Sequence, residues 1–270
     1  MKEGVSFIVP VWREDTFESV CKPWIDEQVA RYGAQLIEVR GTKSIFEALE
    51  RGRRRSRRRF LVYVHDDVRL IAPDDFTPSL MQAFADFPQT GLFGPVGKVQ
   101  AKRVPWWLNA GAYVGHWCRR GDRNQVVYQF ATRHGQCPHY DVCGDLLEFC
   151  QNITGRWDRY APAGFVDGFF LAEDRSRVNL SWDCENYPEQ WHGYDMDRCC
   201  QVRKAGFDVM VGPWLFMHDN GGHAGYKGSD PTRIRGLDQA NRRVNSVGDQ
   251  LWLSDLDRCN DLVRIKWGLA

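Results

Sequence analysis

Three residues with metal-binding or acid–base side chains directly follow an apolar run early in the chain. The run 60–64 (FLVYV) leads into His65, Asp66 and Asp67. Two carboxylates and an imidazole beside a buried strand are costly to desolvate unless something compensates them. A divalent cation would do so, and solvated carboxylates at a strand end are the alternative explanation.

The elements that must position these residues alternate between strands and helices. Short β-type runs at 5–11, 36–40 and 60–64 are separated by segments of helical length. Strands that are apolar on both faces favour a parallel sheet covered by helices on both sides. Ligands then bind beyond the carboxyl ends of the strands, where the acidic cluster lies.

Local signals place the ends of several helices and strands. Asp15 with Glu18, and Ser44 with Glu47, have the spacing of a capping box at a helix N-terminus. Further elements are predicted along the rest of the chain: a strand and turn at 91–99, a regular run at 165–172, a helix from Tyr194 to the stop at Ala205 and Gly206, a strand at 207–211, and a C-terminal helix with Leu256, Cys259 and Val263 on one face.

Length and composition set the class of protein. The chain has 270 residues, 43% of them hydrophobic, which excludes stapled miniature folds and global disorder. No apolar stretch approaches the ~20 residues that span a bilayer, and the N-terminus lacks a signal-peptide pattern. We therefore expect a cytoplasmic protein with reduced thiols, although nine cysteines are present.

Four segments carry a resemblance to a known family. They are SFIVPVWRE near the start, YVHDDV at the third strand, VDGFFLA in the middle, and WHGYDMDRCCQVRKAGFDVMVGP. Together they resemble family 2 type glycosyltransferases of the GT-A fold, in particular the glycosyltransferase-like group related to a streptomycin-biosynthesis protein. The resemblance covers roughly residues 5–100 and 164–220.

The resemblance implies a fold and an activity. The fold is a Rossmann-like open α/β sheet flanked by helices. The resemblance does not cover about 118–160, where weak periodicity predicts an irregular insertion. A single domain is expected to comprise a nucleotide-sugar-binding half at 1–100, an acceptor half at 101–225 and a helical tail at 226–270. The activity is metal-dependent transfer of a sugar from a nucleotide-diphosphate sugar to a carbohydrate or other acceptor hydroxyl.

The same resemblance implies a metal site, because a divalent ion neutralises the leaving diphosphate. Aligned on the Asp-x-Asp motif, His65 takes the first Asp position and Asp67 the second, so Asp67 is the first choice of ligand and Asp66 belongs to the donor site. An imidazole ligand favours Mn²⁺ over Mg²⁺. His218 stands where a later histidine completes the site in several such enzymes, and a satisfied buried histidine is the alternative.

A catalytic base is implied at the start of the helix near residue 194. Inverting members of the family carry a Glu-Asp pair there, and in this chain Tyr194 replaces the Glu while Asp195 matches the Asp. Asp195 is therefore the candidate base for the acceptor hydroxyl. The helix dipole alone also favours acidic residues in a first turn. Asp167, in VDG, is expected to contact the acceptor or the donor sugar.

Donor binding is expected to begin where the first strand ends. Pro10 to Arg13 resembles the loop that holds base and ribose, with Trp12 available to stack and Arg13 available for phosphate. Thr42 and Lys43 follow the second strand and could contact the base or ribose. Four tryptophans in predicted loops offer further faces for stacking on sugars or for ordinary packing: Trp106, Trp107, Trp182 and Trp191.

Other functions compete with this interpretation. A sugar nucleotidyltransferase would need a Gly-rich, Arg-containing loop after the first strand, which Pro10 to Arg13 is not. Seven arginines within 51–59 could bind nucleic acid or anionic lipid, but the rest of the chain is acidic and a solvated helix end explains them as well. A degenerate glycosyltransferase that only binds a nucleotide is a third alternative.

Two segments carry weaker signals. Cysteines at 118, 137, 143 and 150, with His134 and His139, could hold zinc, but their spacing matches no structural zinc site. The Gly-rich run 220–228, which contains His223, could close over the donor or simply form turns. The sequence leaves the oligomeric state open.

Overall fold

A computed structural model describes residues 1–72, 74–98, 113–120, 126–130, 139–143, 160–218 and 247–269. Along these ranges the elements are β1 (Lys2–Pro10), α1 (Glu14–Thr16), a π-helical turn (Phe17–Cys21), α2 (Lys22–Tyr32), β2 (Gln35–Val39), α3 (Ile45–Arg55), β3 (Arg58–Val64), β4 (Val68–Ala72), α4 (Phe76–Asp86), β5 (Thr90–Gly94), β6 (Val96–Lys98), β7 (Tyr113–Arg120), β8 (Val126–Phe130), β9 (His139–Cys143), β10 (Ala161–Pro162), β11 (Phe165–Val166), β12 (Phe170–Asp174), α5 (Tyr194–Lys204), β13 (Asp208–Val211), β14 (Leu215–His218) and α6 (Val247–Trp267).

The central sheet has seven strands in the order β10-β13-β5-β12-β3-β1-β2. β1 pairs in parallel with β2 and β3, and Phe7 lies opposite Leu36 on one side and Val62 on the other. β12 runs antiparallel to β3 and β5, whereas β13 is parallel to β5. The parallel strands therefore share one carboxyl edge, as the alternation of strands and helices predicted.

Helices cover both faces of this sheet because its strands are apolar on both faces. Ile8 and Leu61 belong to a buried cluster with α3, α5 and α6. Phe7 and Val62 point the other way, into a cluster with α2 and α4. The predicted α/β class, an open sheet flanked by helices, is confirmed.

A second sheet brings two distant segments together at the carboxyl edge. It has the order β11-β6-β7-β14-β4, with β8 beside β7 and β9 beside β8. β14 runs antiparallel to β4, and His218 lies opposite Val68. This register places the end of β14 beside the His65–Asp67 segment, which immediately precedes β4.

Several local predictions need correction. The capping box at Asp15 and Glu18 is wrong, because α1 begins at Glu14 and Arg13 occupies its N-cap without a side-chain hydrogen bond. The run 165–172 forms two strands in different sheets, β11 and β12, which leaves Asp167 in the turn between them. β7 to β9 lie in or next to the proposed insertion at 118–160, so part of it is regular.

Other local predictions are confirmed. Ser44 Oγ accepts a hydrogen bond from the Glu47 N–H, and α3 begins directly after this N-cap. α5 ends at Lys204, and Gly206 follows with a φ of 88°. Leu256, Cys259 and Val263 of α6 are buried on one face. Within the described ranges, no helix is long and apolar enough to cross a membrane.

Candidate functional site

A cleft of about 360 Å³ opens at the carboxyl edge of the central sheet. It lies where β1 and β3 end and where α5 begins, so the parallel strands and a helix N-terminus all point toward it. The cleft is lined by many of the residues that the sequence singled out: Pro10, Trp12, Thr42, His65, Asp66, Asp167, Asp195 and His218.

The structure brings the three predicted metal ligands together. Ligand atoms of His65, Asp67 and His218 all lie within 4.8 Å of one another. His218 Nε2 lies 3.2 Å from Asp67 Oδ1. Neighbouring ligands on a six-coordinate ion with bonds of about 2.1 Å lie about 3 Å apart, so this spacing fits one shared cation. Two imidazoles and a carboxylate suit a divalent transition ion.

Asp66 and Asp67 are adjacent but have different partners. Asp66 Oδ2 accepts hydrogen bonds from the backbone N–H groups of Trp12 and Arg13, at 2.8 and 2.7 Å. Asp67 Oδ2 accepts one from Arg13 Nη2 at 2.9 Å. Asp66 therefore braces the loop after β1, and the Arg13 guanidinium is directed at the two carboxylates.

The charges within the cluster shift the pKa values of all three candidate ligands. Burial alone would raise the pKa of Asp67, but His218, His65 and Arg13 together outweigh it and hold that pKa well below its usual range. Burial and the nearby His218 lower the pKa of His65 to about 4. Burial acts to lower the pKa of His218, and the attraction of Asp67 reverses this and raises it. Near neutral pH, Asp67 is thus an anion and His65 is neutral, the states that ligate metal. His218 must also be neutral to ligate, and its raised pKa opposes that form, so metal binding there displaces a proton.

The first turn of α5 supplies two residues to the cleft. Tyr194 Oη lies 2.5 Å from His65 Nε2. Burial and then the charges of Asp195, Asp167 and Asp67 raise the pKa of Tyr194 well above its usual value, so the phenol keeps its proton. Asp195 is 9% exposed, lines the cleft, and accepts the Met196 N–H through Oδ1 at 2.9 Å.

Asp167 lies in the turn between β11 and β12 at the same cleft. Its Oδ1 accepts the Phe169 N–H at 3.2 Å, and its own N–H donates to Val96 O at 2.9 Å. Burial raises the pKa of Asp167, although His218 and two backbone hydrogen bonds act against this. Asp167 therefore lines the cleft because the predicted run 165–172 is interrupted by a turn at this residue.

Aromatic side chains stand on one side of the cleft. Trp12 is 42% exposed, and its ring centroid lies 4.7 Å from that of Trp191 in an edge-to-face contact. Both rings line the cleft, whereas Trp182 is buried against Tyr63 and Arg198, so Trp182 belongs to ordinary packing. Trp106, Trp107 and His223 lie outside the described residues.

Lys43 is placed differently from its neighbour Thr42. The Lys43 N–H donates to Glu47 Oε2 at 2.8 Å, which completes the cap of α3, and its side chain is exposed. The side chains of the cysteines and histidines in the proposed zinc cluster also lie outside the described part of the structure.

Sequence reasoning missed two contributions to the cleft. Leu256 of α6 lines it, and the Trp191 N–H donates to Asp255 Oδ2 at 3.1 Å, so the C-terminal helix forms part of one wall. The Tyr194–His65 contact was also missed. Its only sequence signal is that both positions depart from the pattern of the family that the chain resembles.

Comparison with known proteins gives the following matches. No curated protein matches the sequence. GalNAc-T7 with UDP, GalNAc and Mn²⁺ superposes with a TM-score of 0.49 and 11% identity, over 95% of this chain and 55% of that one. The mannosyltransferase PcManGT from Pyrobaculum calidifontis, in complex with GDP-Man and Mn²⁺, gives 0.45 and 13%, over 98% and 74%. S. aureus TarS 1-349 gives 0.42 and 8%, over 96% and 71%.

The chain thus spans about half the length of the GalNAc-T7 chain. A sequence model of a whole family gives a more direct assignment. The model described as "Glycosyltransferase like family" matches residues 6–224, which run from within β1 to beyond β14 and include every candidate site residue. The chain therefore belongs to the glycosyltransferase-like family.

Proposed function

We propose that this protein transfers a sugar from a nucleotide-diphosphate sugar to an acceptor hydroxyl, with a divalent metal ion and with inversion at the anomeric carbon. The observation that carries the proposal is the cluster of His65, Asp67 and His218, whose ligand atoms lie within 4.8 Å at the edge of a cleft. The cleft also holds a carboxylate suited to act as a base, Asp195.

The metal requirement follows from the charge of the leaving group. A divalent ion held by His65, Asp67 and His218 would neutralise the negative charge that develops on the departing diphosphate. We propose Mn²⁺ over Mg²⁺ because imidazole ligands suit the transition ion better. Arg13 holds the second oxygen of Asp67 through a 2.9 Å hydrogen bond and so orients the carboxylate.

The donor occupies the side of the cleft that is lined by Pro10, Trp12 and Thr42. Trp12 has an exposed face on which a base or sugar can stack, and Trp191 supports it edge-on. Thr42 contributes a hydroxyl for the base or ribose, and Lys43 stands exposed next to it. Asp66 holds the loop after β1 in place for this contact.

Asp195 acts on the acceptor. Its carboxylate takes the proton of the acceptor hydroxyl as that oxygen bonds to the anomeric carbon. The bond from that carbon to the diphosphate oxygen breaks on the opposite face, so the nucleoside diphosphate leaves and the configuration inverts. Asp167 lies in the same cleft and positions the acceptor or the donor sugar.

The competing functions fit the contacts less well. A nucleotidyltransferase would use free backbone N–H groups after β1 for a triphosphate, but those of Trp12 and Arg13 already donate to Asp66. Six of the arginines in the basic run have partners within the protein: Arg51, Arg53, Arg54, Arg55, Arg58 and Arg59. This favours a structural role for the run over nucleic-acid binding.

Asp67→Asn tests the proposed site, with Asp15→Asn on an exposed helical position as the matched control. Calorimetric titration of UDP and GDP with and without Mn²⁺ should give Mn²⁺-dependent binding to the wild type and to Asp15→Asn, and none to Asp67→Asn. A turnover assay should release nucleoside diphosphate. Release of pyrophosphate would support the nucleotidyltransferase, and binding without turnover would support a degenerate binding protein.

Three finer points remain predictions that accompany this proposal. They are the relation to the streptomycin-biosynthesis group, a cytoplasmic location, and the division of one domain into halves at 1–100 and 101–225 with a tail at 226–270.

A further inference from the structure

The imidazole of His65 and the phenol of Tyr194 meet at the cleft although they are 129 residues apart in sequence. His65 follows β3 directly, and Tyr194 is the first residue of α5. The 2.5 Å contact joins Tyr194 Oη to Nε2 of the imidazole. His65 is also one of the three clustered ligand residues, so Tyr194 touches the proposed metal site through it.

The contact determines which nitrogen of His65 can bind a cation. A neutral imidazole has one N–H and one nitrogen lone pair, and the two nitrogens exchange these roles between tautomers. Because Nε2 faces Tyr194, Nδ1 is the nitrogen left for a metal ion. Nδ1 can ligate only when the proton is on Nε2, which requires the Tyr194 oxygen to accept this hydrogen bond.

We propose that Tyr194 is a positioning residue: its Oη accepts the Nε2–H of His65 and so holds the imidazole in the tautomer and ring plane that present the Nδ1 lone pair to the metal ion. This inference rests on the metal site of the proposed function. Metal-ligating histidines generally donate their second ring N–H to a hydrogen-bond acceptor, and Tyr194 supplies that acceptor for His65.

The surroundings of Tyr194 are suited to this role. The ring itself has little freedom, because the side chain is 7% exposed and packs edge-on against Phe46.

Backbone features fix both partners. A Cβ at Gly168 would lie 2.5 Å from Tyr194 Oη, so this glycine makes room for the hydroxyl. The His65 N–H donates to Phe169 O at 3.0 Å, which holds the end of β3. An aspartate in place of His65 would have no tautomer to fix, so only a histidine at this position needs such a partner.

The first test measures Mn²⁺ binding by calorimetry in the absence of nucleotide. Tyr194→Phe keeps the ring and removes only the hydroxyl, and we expect its Mn²⁺ affinity to fall by about 10- to 100-fold. Tyr187→Phe is the matched control, because Tyr187 is fully buried, stacks on the same Phe46, and its hydroxyl has no hydrogen-bond partner in the described structure. Its affinity should equal that of the wild type.

A double-mutant cycle separates positioning from a merely structural role. In a His65→Asp background the carboxylate needs no tautomer, so adding Tyr194→Phe should leave Mn²⁺ affinity within about twofold. An equal loss in both backgrounds would assign Tyr194 to general packing and overturn the inference.

The tautomer can also be measured on the wild-type protein, without relying on the Tyr194→Phe variant. Long-range ¹H–¹⁵N NMR of histidine-labelled protein, assigned through the signal lost in His65→Asp, should show the Nε2–H form of His65. A proton on Nδ1 would overturn the inference.

The outcomes distinguish this inference from the proposed function. Wild-type protein that binds no Mn²⁺ would remove the metal site and the inference together. Mn²⁺ binding that is equal in wild type and Tyr194→Phe would remove the inference and leave the metal site in place.

Discussion

Neighbouring carboxylates in this protein have different chemistry because their partners differ. Asp66 accepts two backbone N–H groups of the loop after β1, so it shapes the donor side of the cleft. Asp67 lies among His218, His65 and Arg13, which stabilise its anionic form and hold its pKa well below the usual range despite burial. The position of each side chain, one residue apart on the turn after β3, decides which of them can ligate a metal ion.

A substitution at Asp195 tests its proposed role as the base. Asp195→Asn keeps the size of the side chain but removes the base, so we expect kcat to fall by about 10²- to 10⁴-fold while donor affinity stays unchanged. Steady-state turnover and calorimetric binding of the nucleoside diphosphate with Mn²⁺ measure the two quantities separately. Asp15→Asn serves again as the exposed control, and full turnover in Asp195→Asn would exclude this residue as the base.

Helix α3 packs closely against β1, and this packing positions the loop that contains Thr42 at the cleft. Its N-terminus is fixed by Ser44 and Glu47, which places Thr42 at the cleft. Its centre approaches β1 so closely that a Cβ at Gly52 would lie 2.2 Å from Ile8 Cγ2. Ile8 is fully buried between α3 and the sheet.

Gly52→Ala should therefore destabilise the fold. Alanine gains about 1 kcal/mol of helix propensity over glycine, but overpacking a core costs about 1–3 kcal/mol, and the contact with a rigid β-branched side chain puts the cost at the upper end. We expect a net loss of about 1 kcal/mol or more in urea unfolding. In an Ile8→Ala background the clash with Cγ2 is absent and only the Ile8 Cβ remains, at 3.3 Å, so Gly52→Ala should cost clearly less there. The same loss in both backgrounds would contradict this account.

Over the whole molecule, buried charges tie the C-terminal helix and the basic run to the core. Asp197 of α5 accepts hydrogen bonds from Lys266 Nζ at 2.7 Å and Trp267 Nε1 at 2.8 Å, which anchors the end of α6. Arg59, at the end of the arginine run, pairs with the fully buried Asp174 at 2.7 Å. Arg51, Arg53 and Arg54 of the same run also pair with carboxylates of the fold.

Asp174 makes stability depend on pH. Burial acts to raise its pKa, but the hydrogen bonds from Arg59 and Ser176 outweigh it, so the pKa of Asp174 is lowered in the folded state. The carboxylate therefore stabilises the fold above the unfolded-state pKa of about 3.9, and this contribution is lost as the pH falls toward the lower folded-state value.

We expect Asp174→Asn to lose about 2 kcal/mol of unfolding free energy near neutral pH and progressively less below about pH 4, where the wild type also becomes protonated. Urea unfolding of both proteins across this range measures the difference. A difference that stays constant down to about pH 3 would show that Asp174 does not titrate with folding.

The α/β class and most of the elements could be predicted from the sequence, because they follow from local periodicity and short-range caps. The strands β1, β2 and β3 and the helix α5 lie within a few residues of their predicted ends. The cap at Ser44 was correct because Glu47 is three residues away. The cap at Asp15 failed because the chain turns into α1 already at Glu14, where Asp66 holds the N–H groups of Trp12 and Arg13.

The way in which the site residues come together depends on contacts between distant segments. The sequence placed His65 and Asp67 at a strand end, but their proximity to His218 depends on the pairing of β14 with β4, which is a long-range register. The contact of Arg13 with Asp67, the contact of Tyr194 with His65, and the wall formed by α6 depend on packing between distant segments. Local sequence patterns record which face of an element is apolar, and they carry no information about which distant side chain lies opposite it.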